Sequence, residues 1–173
     1  MAQERHARSK VRRSVPAAAI PPVRVDETDR HLLTLLLRDG RMSNAELARR
    51  VGVAESTCNG RIRALRSAGV ITGVHAEVDL SAVGRPIQAM VALRFSGHVR
   101  AEMDRFRAQV ATIPGVIAAY HVAGETDFLV QVSVASSHDL RDFVLDRLTS
   151  IAGVTHAETS LIFERIAGEE VLG

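Results

Sequence analysis

Between residues 26 and 71 apolar positions recur at helical spacing, and from residue 87 onward they alternate, with two helical stretches set between the alternating ones. The first helical stretch covers residues 27–38, with Leu32, Leu33 and Leu36 on one face and Asp26, Glu27 and Asp29 at its positive N-terminus. Asp39-Gly40 stops it. Ser43-Asn44-Ala45-Glu46 is spaced as a capping box, serine at the N-cap and glutamate at N3, and opens a short helix to about Val51. Gly52 turns the chain, and a third helix starts near Ala54 or Glu55 and ends at Gly69. On a helical wheel Cys58, Ile62 and Leu65 fall together, while Ser56, Gly60, Arg63 and Ser67 fall on the opposite side.

Two short helices joined by a tight glycine turn, the second one arginine-bearing, match a helix-turn-helix, whose second helix enters the major groove of DNA. Many helical hairpins share that spacing. Residues 72–80 alternate weakly and predict a short strand or wing leading to a linker around Gly84-Arg85-Pro86.

The second half has a different period. Residues 87–95 alternate Ile87, Ala89, Val91, Leu93 and Phe95 against Gln88, Met90 and Arg94, as a half-buried strand does. A helix is predicted over 100–112 with Met103, Phe106 and Val110 on one stripe, then strands over 116–122 and 128–134 as an antiparallel pair around the loop 123–127. A helix over 138–149 carries Leu140, Val144 and Leu148, and a last strand spans 154–165. Ile113-Pro114-Gly115-Val116 returns as Ile151-Ala152-Gly153-Val154, each time between helix and strand. Two β-α-β halves in tandem make βαββαβ, the ferredoxin-like arrangement, so the fold class is α+β: a winged helix-turn-helix followed by a ferredoxin-like domain. That second fold hosts many functions and names none.

Charge adds a third segment. The formal net charge of +2 hides +5 in residues 1–25, zero in 26–80 and −3 in 81–173. The expected organisation is a basic disordered arm over 1–24, a helix-turn-helix DNA-binding domain over 25–80, a linker over 81–86 and the ferredoxin-like domain over 87–173. Such an arm either binds polyanions or keeps the chain soluble. Arg12-Arg13-Ser14-Val15 looks like a twin-arginine export signal only superficially, because Pro16, Pro21 and Pro22 interrupt the apolar run that should follow. No apolar run approaches the roughly 20 residues that span a bilayer. A single cysteine excludes a disulfide framework and suits a reducing cytoplasm, the expected location.

In this order the motifs resemble the Lrp/AsnC regulators, the leucine-responsive or feast/famine family. The resemblance rests on Asp26 and Asp29 before Leu32-Leu33, Asp39-Gly40-Arg41, residues 43–47, Val51-Gly52, and Cys58-x-x-Arg61-x-x-x-Leu65. Gly69-x-Ile71, Gly124-x-x-Asp127 and Gly153-Val154 followed by Thr159 complete it, and it covers roughly four fifths of the chain. It implies a DNA-reading N-terminal domain, dimerisation through the C-terminal sheet, further assembly, and an amino acid or related small effector near the Gly-x-x-Asp loop. Two features depart from the family: Ala54 stands where Ser or Thr usually caps the recognition helix, and Asn59-Gly60 replaces larger residues.

Candidate DNA contacts are Ser56, Thr57, Asn59, Gly60 and Arg63 near base edges, with Arg61 and Arg66 on the flanks toward phosphates. For Arg61, nearer the core side of the wheel, an internal salt bridge is the competing reading. Ser43 and Asn44 open the second helix, where a phosphate would be well placed, or Ser43 is simply a cap. The candidate effector set is Val122, Ala123, Gly124, Glu125, Thr126 and Asp127, with Thr159 offering a hydroxyl from the last strand. There glycine admits close approach, loop N–H groups suit a carboxylate, and Glu125 or Asp127 suits an ammonium. The plain alternative is a hairpin turn in which Asp127 satisfies backbone. Cys58 reads as core rather than redox sensor, and the scattered histidines show no metal spacing.

The expected function is a transcription regulator that binds double-stranded DNA as a homodimer or higher homo-oligomer and responds to a small effector. The alternative is an architectural DNA coater that uses the basic arm and has no metabolite. No nucleophile–base pair, phosphate loop or cofactor motif points to an enzyme.

Overall fold

The computed structural model describes residues 24–96, 100–166 and 168, so residues 1–23 of the arm lie outside it. The described chain forms two compact units that part between Glu77 and Val78.

The first unit holds α1 (Glu27–Arg38), α2 (Asn44–Val51) and α3 (Glu55–Ser67). α1 starts where Asp26 and Asp29 cap each other: Asp29 N–H donates to Asp26 Oδ1 at 2.8 Å and Asp26 N–H to Asp29 Oδ2 at 3.3 Å. α2 has only half of the expected capping box. Ser43 Oγ accepts the Glu46 N–H at 3.2 Å, but the Glu46 carboxylate turns away to Arg49 and Arg50, each at 2.7 Å. Two charge-assisted bonds outcompete one bond to a backbone amide.

Leu32, Leu35, Leu47, Ala48, Cys58 and Ile62 form one core. The expected α1 stripe of Leu32, Leu33 and Leu36 is corrected to Leu32 and Leu35, with Leu36 packed at the edge. A run of leucines offers overlapping stripes that periodicity cannot rank, and contact with the neighbouring helices decides. The expected strand or wing over 72–80 is absent: residues 72–79 are exposed and unpaired in any sheet. A strand needs a partner, and this unit contains none. The segment is instead placed by Val74, which lies where a β-carbon on Gly40 would stand, its Cγ1 only 2.6 Å from that position.

In the second unit β1 (Ile87–Phe95), β2 (Val116–His121), β3 (Phe128–Val134) and β4 (Val154–Leu161) form an antiparallel sheet in the order β2-β3-β1-β4. That order, with α4 (Arg100–Val110) and α5 (Ser137–Asp142) in the two crossovers, is the expected ferredoxin-like arrangement. Ala89, Val91, Leu93, Phe128, Val130 and Val132 line the core face under Phe106, Val110, Leu140 and Leu148. Phe95, Phe106 and Phe128 meet edge to face with centroids 4.6–5.6 Å apart.

Two boundaries differ from expectation. The single helix over 138–149 is α-helical only as far as Asp142, after which Phe143–Leu148 widens into a π-helix, with Thr149 N–H donating to Val144 O. The wider turn brings Phe143 and Leu148, five residues apart, to the same buried side, and Val144 is left half-buried. β4 stops at Leu161 rather than 165. Leu161 already pairs with Ala89, Ile162 N–H bonds to Gln88 O, and β1 begins at Ile87, so its partner runs out.

The sequence repeat is a structural repeat. Val116 N–H bonds to Ile113 O and Val154 N–H to Ile151 O, both at 3.1 Å, and Gly115 and Gly153 sit at φ 103° and 92°. Only glycine adopts that backbone without strain, so each helix-to-strand corner is fixed by its glycine.

Candidate nucleic-acid interface and effector loop

α2 ends at Gly52, φ 77°, with Val53 N–H on Ala48 O, and α3 starts three residues later at Glu55. This six-residue closure sets the angle between the two helices. α3 ends in the same way: Gly69 has φ 73° and Val70 N–H reaches Leu65 O at 2.9 Å. Cys58, Ile62 and Leu65 are 0–3% exposed, so the inner stripe of α3 lies where the wheel puts it. Burial pushes the Cys58 thiol upward from its ordinary value, as befits a packed residue and not a reactive one.

On the outer side Ser56, Thr57, Asn59, Gly60, Arg63 and Arg66 are all exposed. Among the described residues neither Arg63 nor Arg66 has an acidic partner. The helix is poorly braced for its position. Ala54 offers no side-chain cap, and Gly60 lies in the interior; against a capping residue and an alanine these cost about 1 kcal/mol each.

Arg61 is corrected. Its Nη1 lies 2.7 Å from Asp26 Oδ2 and 3.0 Å from Asp29 Oδ1, so the internal salt bridge, not a phosphate contact, holds it. The Asp29 backbone N–H and then the Arg61 guanidinium hold the Asp26 carboxyl below its usual range. At the start of α2, Ser43 is exposed and engaged as a cap, and Asn44 is half-buried beside it. Three further arginines lie on or beside α2: Arg41, exposed just before it, and Arg49 and Arg50, forked on Glu46, whose carboxyl they hold at about 2. The i, i+3 and i, i+4 spacing of Glu46 to Arg49 and Arg50 is the sequence signal for that fork.

The candidate effector loop closes a hairpin in which Val122 N–H donates to Asp127 O at 3.0 Å. Gly124 has φ 135° and open space around it, and Ala123 and Glu125 are exposed while Val122, Thr126 and Asp127 are half-buried. The Asp127 carboxylate is already employed, accepting the Phe95 N–H at 2.8 Å, while its own N–H bonds to Leu93 O. Glu125 reaches Arg94 at 3.2 Å from a 90% exposed position. Thr159 is not beside this loop: it pairs with Val91 on the far side of β1, which separates β4 from β3. Two open concavities of about 560 and 470 Å3 lie at the other end of β3, near Pro114, Asp146 and Arg147. Among the described residues no helix is long and apolar enough to cross a membrane, and no cluster of His, Cys, Asp or Glu is placed to hold a metal ion.

Known proteins share this arrangement. A family model described as winged helix-turn-helix DNA-binding matches residues 25–72, and one described as the Lrp/AsnC ligand binding domain matches residues 88–172. The HTH-type transcriptional regulator AldR of Mycobacterium tuberculosis is 40% identical over 92% of this chain and 89% of its own length. Its crystal structure superimposes with a TM-score of 0.72 at 38% identity, over 86% of this chain and 98% of that one. The leucine-responsive regulatory protein of Rhizobium meliloti is 35% identical over 83% of this chain and 92% of its own. A transcriptional regulator of Neisseria meningitidis, solved as a complex with L-methionine, matches with a TM-score of 0.77 at 31% identity, over 83% of this chain and 92% of that one. The chain belongs to the Lrp/AsnC family and is a DNA-binding helix-turn-helix transcription regulator, not an enzyme.

Proposed function

We propose that this regulator reads a specific DNA site with the outer face of α3 and that its assembly or DNA affinity responds to a small amino acid. The observation that carries the first part is the exposed row of Ser56, Asn59, Gly60 and Arg63 opposite a fully packed stripe, with the Arg63 guanidinium free of any acid among the described residues. Arginine pairs bidentately with guanine, asparagine with adenine, and Ser56 and Thr57 reach neighbouring edges. Arg66, and the start of α2 at Ser43 and Asn44, serve the flanking phosphates.

The effector reading is supported by the match of residues 88–172 to a ligand-binding domain and by the L-methionine held by the Neisseria regulator. In this chain the Gly124 loop supplies open backbone, and Glu125 supplies a carboxylate whose single described partner is an exposed arginine. With Ala123, Gly124 and Glu125 exposed, a second copy would close the loop over a small ligand. The open sheet face of Met90, Ala92, Leu129 and Gln131 is an apolar-to-polar surface suited to a two-fold partner, giving paired recognition helices over a two-fold related site. Residues 1–24, 25–80, 81–86 and 87–173 then serve as arm, reader, linker and sensor-assembler, acting on DNA in the cytoplasm.

The DNA reading is tested by selecting a preferred duplex from a randomised library and measuring Arg63→Ala on it. The expected result is about 1–3 kcal/mol of lost discrimination at one base position, and an unchanged preference overturns the assignment of α3. The effector reading is tested by a thermal-shift series with the twenty amino acids. Stabilisation that follows RT ln(1 + [L]/Kd), and weakens in Glu125→Gln, supports it; no response to any of them leaves the DNA-coating alternative.

A further inference from the structure

Three glycines of the first unit have visible reasons: Gly52 and Gly69 hold positive φ, and Gly40 makes room for Val74. Gly60 has neither. It is helical within Glu55–Ser67, its φ is not positive, it is exposed, and a β-carbon built on it meets no atom within 4 Å. Nothing in the fold of this unit therefore asks for a glycine there, and an alanine would hold the helix better.

Its position supplies the reason. Gly60 falls opposite the buried Cys58, Ile62 and Leu65, so on the reading of α3 proposed above it is the point of the helix that goes deepest into the groove. A helix with side chains is about 10–12 Å across and the major groove about 12 Å wide, so one β-carbon at the leading edge changes how far the helix enters. We infer that Gly60 is a specificity-determining residue whose bare backbone lets α3 seat against the base edges, bringing Asn59 and Arg63 within hydrogen-bond reach. The occupant of the space beside Gly60 is a base-pair edge at the groove floor. A carbon–carbon bond adds about 1.5 Å, and a base contact stretched by a comparable distance leaves the 2.7–3.2 Å range in which N–H···O bonds hold. Phosphate contacts are less sensitive, since long flexible arginines follow the displaced backbone.

The inference rests on α3 being the reading helix, and the test separates the two. Binding of the full chain and of Gly60→Ala, Gly60→Ser and Arg63→Ala is measured by fluorescence anisotropy on the duplex selected with the wild-type protein and on a scrambled duplex of equal length. For Gly60→Ala a loss of about ten- to hundredfold on the selected duplex is expected, with scrambled-duplex affinity changed less than about twofold and a raised melting temperature. Gly60→Ser is expected to lose at least as much. If Arg63→Ala relaxes the preference while both Gly60 variants keep wild-type affinity and selectivity, the inference falls and the reading of α3 stands. If none of the three variants changes preference, or no preferred duplex emerges, both fall.

Discussion

The guanidinium of Arg61, on the third helix of the first unit, binds the carboxylate of Asp26 at 2.7 Å, so the residue that starts α1 also anchors α3. Asp26 thus serves two helices: it caps one through the Asp29 N–H and pins the other through Arg61. That junction ties the orientation of α3 to the carboxylates of Asp26 and Asp29.

The pH dependence follows from its sign. Asp26 has a folded-state pKa below its ordinary 3.8, and Glu46 is held at about 2 against 4.5, so both carboxylates stabilise the fold above their unfolded values. That contribution disappears as pH falls through the lowered folded values. Asp26→Asn and Glu46→Gln are expected to melt below the wild type at pH 7, with the gap closing below about pH 4. A gap independent of pH between 7 and 2, measured by circular dichroism, contradicts the assigned pairing.

Arg66 is expected to act on phosphate and not on sequence. Arg66→Ala should weaken selected and scrambled duplexes alike and lower the slope of log affinity against log salt by about 1. Base-dependent loss would move Arg66 to the reading face.

The uncapped start of α3 predicts an easy gain. Ala54→Ser, at an N-cap with φ −65° and ψ 146°, should stabilise the first unit by about 1 kcal/mol in urea titration. No gain would mean that the serine hydroxyl does not reach the free amides of the first turn.

At the repeated corners, Gly115→Ala and Gly153→Ala should each destabilise the second unit by about 1–3 kcal/mol, because both residues sit at φ near 100°. Gly153 should be the worse, since its missing β-carbon is also where Glu102 and Phe95 pack. Denaturant midpoints for the two variants check the order.

Asp127 needs a paired control. Because its carboxylate accepts the Phe95 N–H, Asp127→Ala should cost about 1–3 kcal/mol of stability, whereas Asp127→Asn keeps an acceptor and should cost less. Amino-acid response lost in the alanine variant alone therefore reports a disturbed β1 and not a lost ligand contact.

Periodicity and punctuation made most of the architecture legible. The helices of the first unit, the four strands and the inward set of α3 follow from spacing, glycine stops and alternation, because these are local properties of backbone and side-chain direction. The repeat around Gly115 and Gly153 announced the βαββαβ order for the same reason. What failed depended on partners. Glu46 chose arginines over its cap, Arg61 chose aspartates 32 and 35 residues away, and the stretch 72–80 had no strand to pair with.

By itself the sequence determined the two-part plan, the family motifs and the outer face of α3, all carried by residues close together in the chain. Only the tertiary structure decided which charges are spent internally: Arg61 on Asp26, Asp127 on the Phe95 amide, Thr159 on the wrong side of β1 for the loop. Those assignments are contests between groups distant in sequence. A hydrogen bond goes to whichever partner the folded chain brings within about 3 Å, a distance that no residue spacing records.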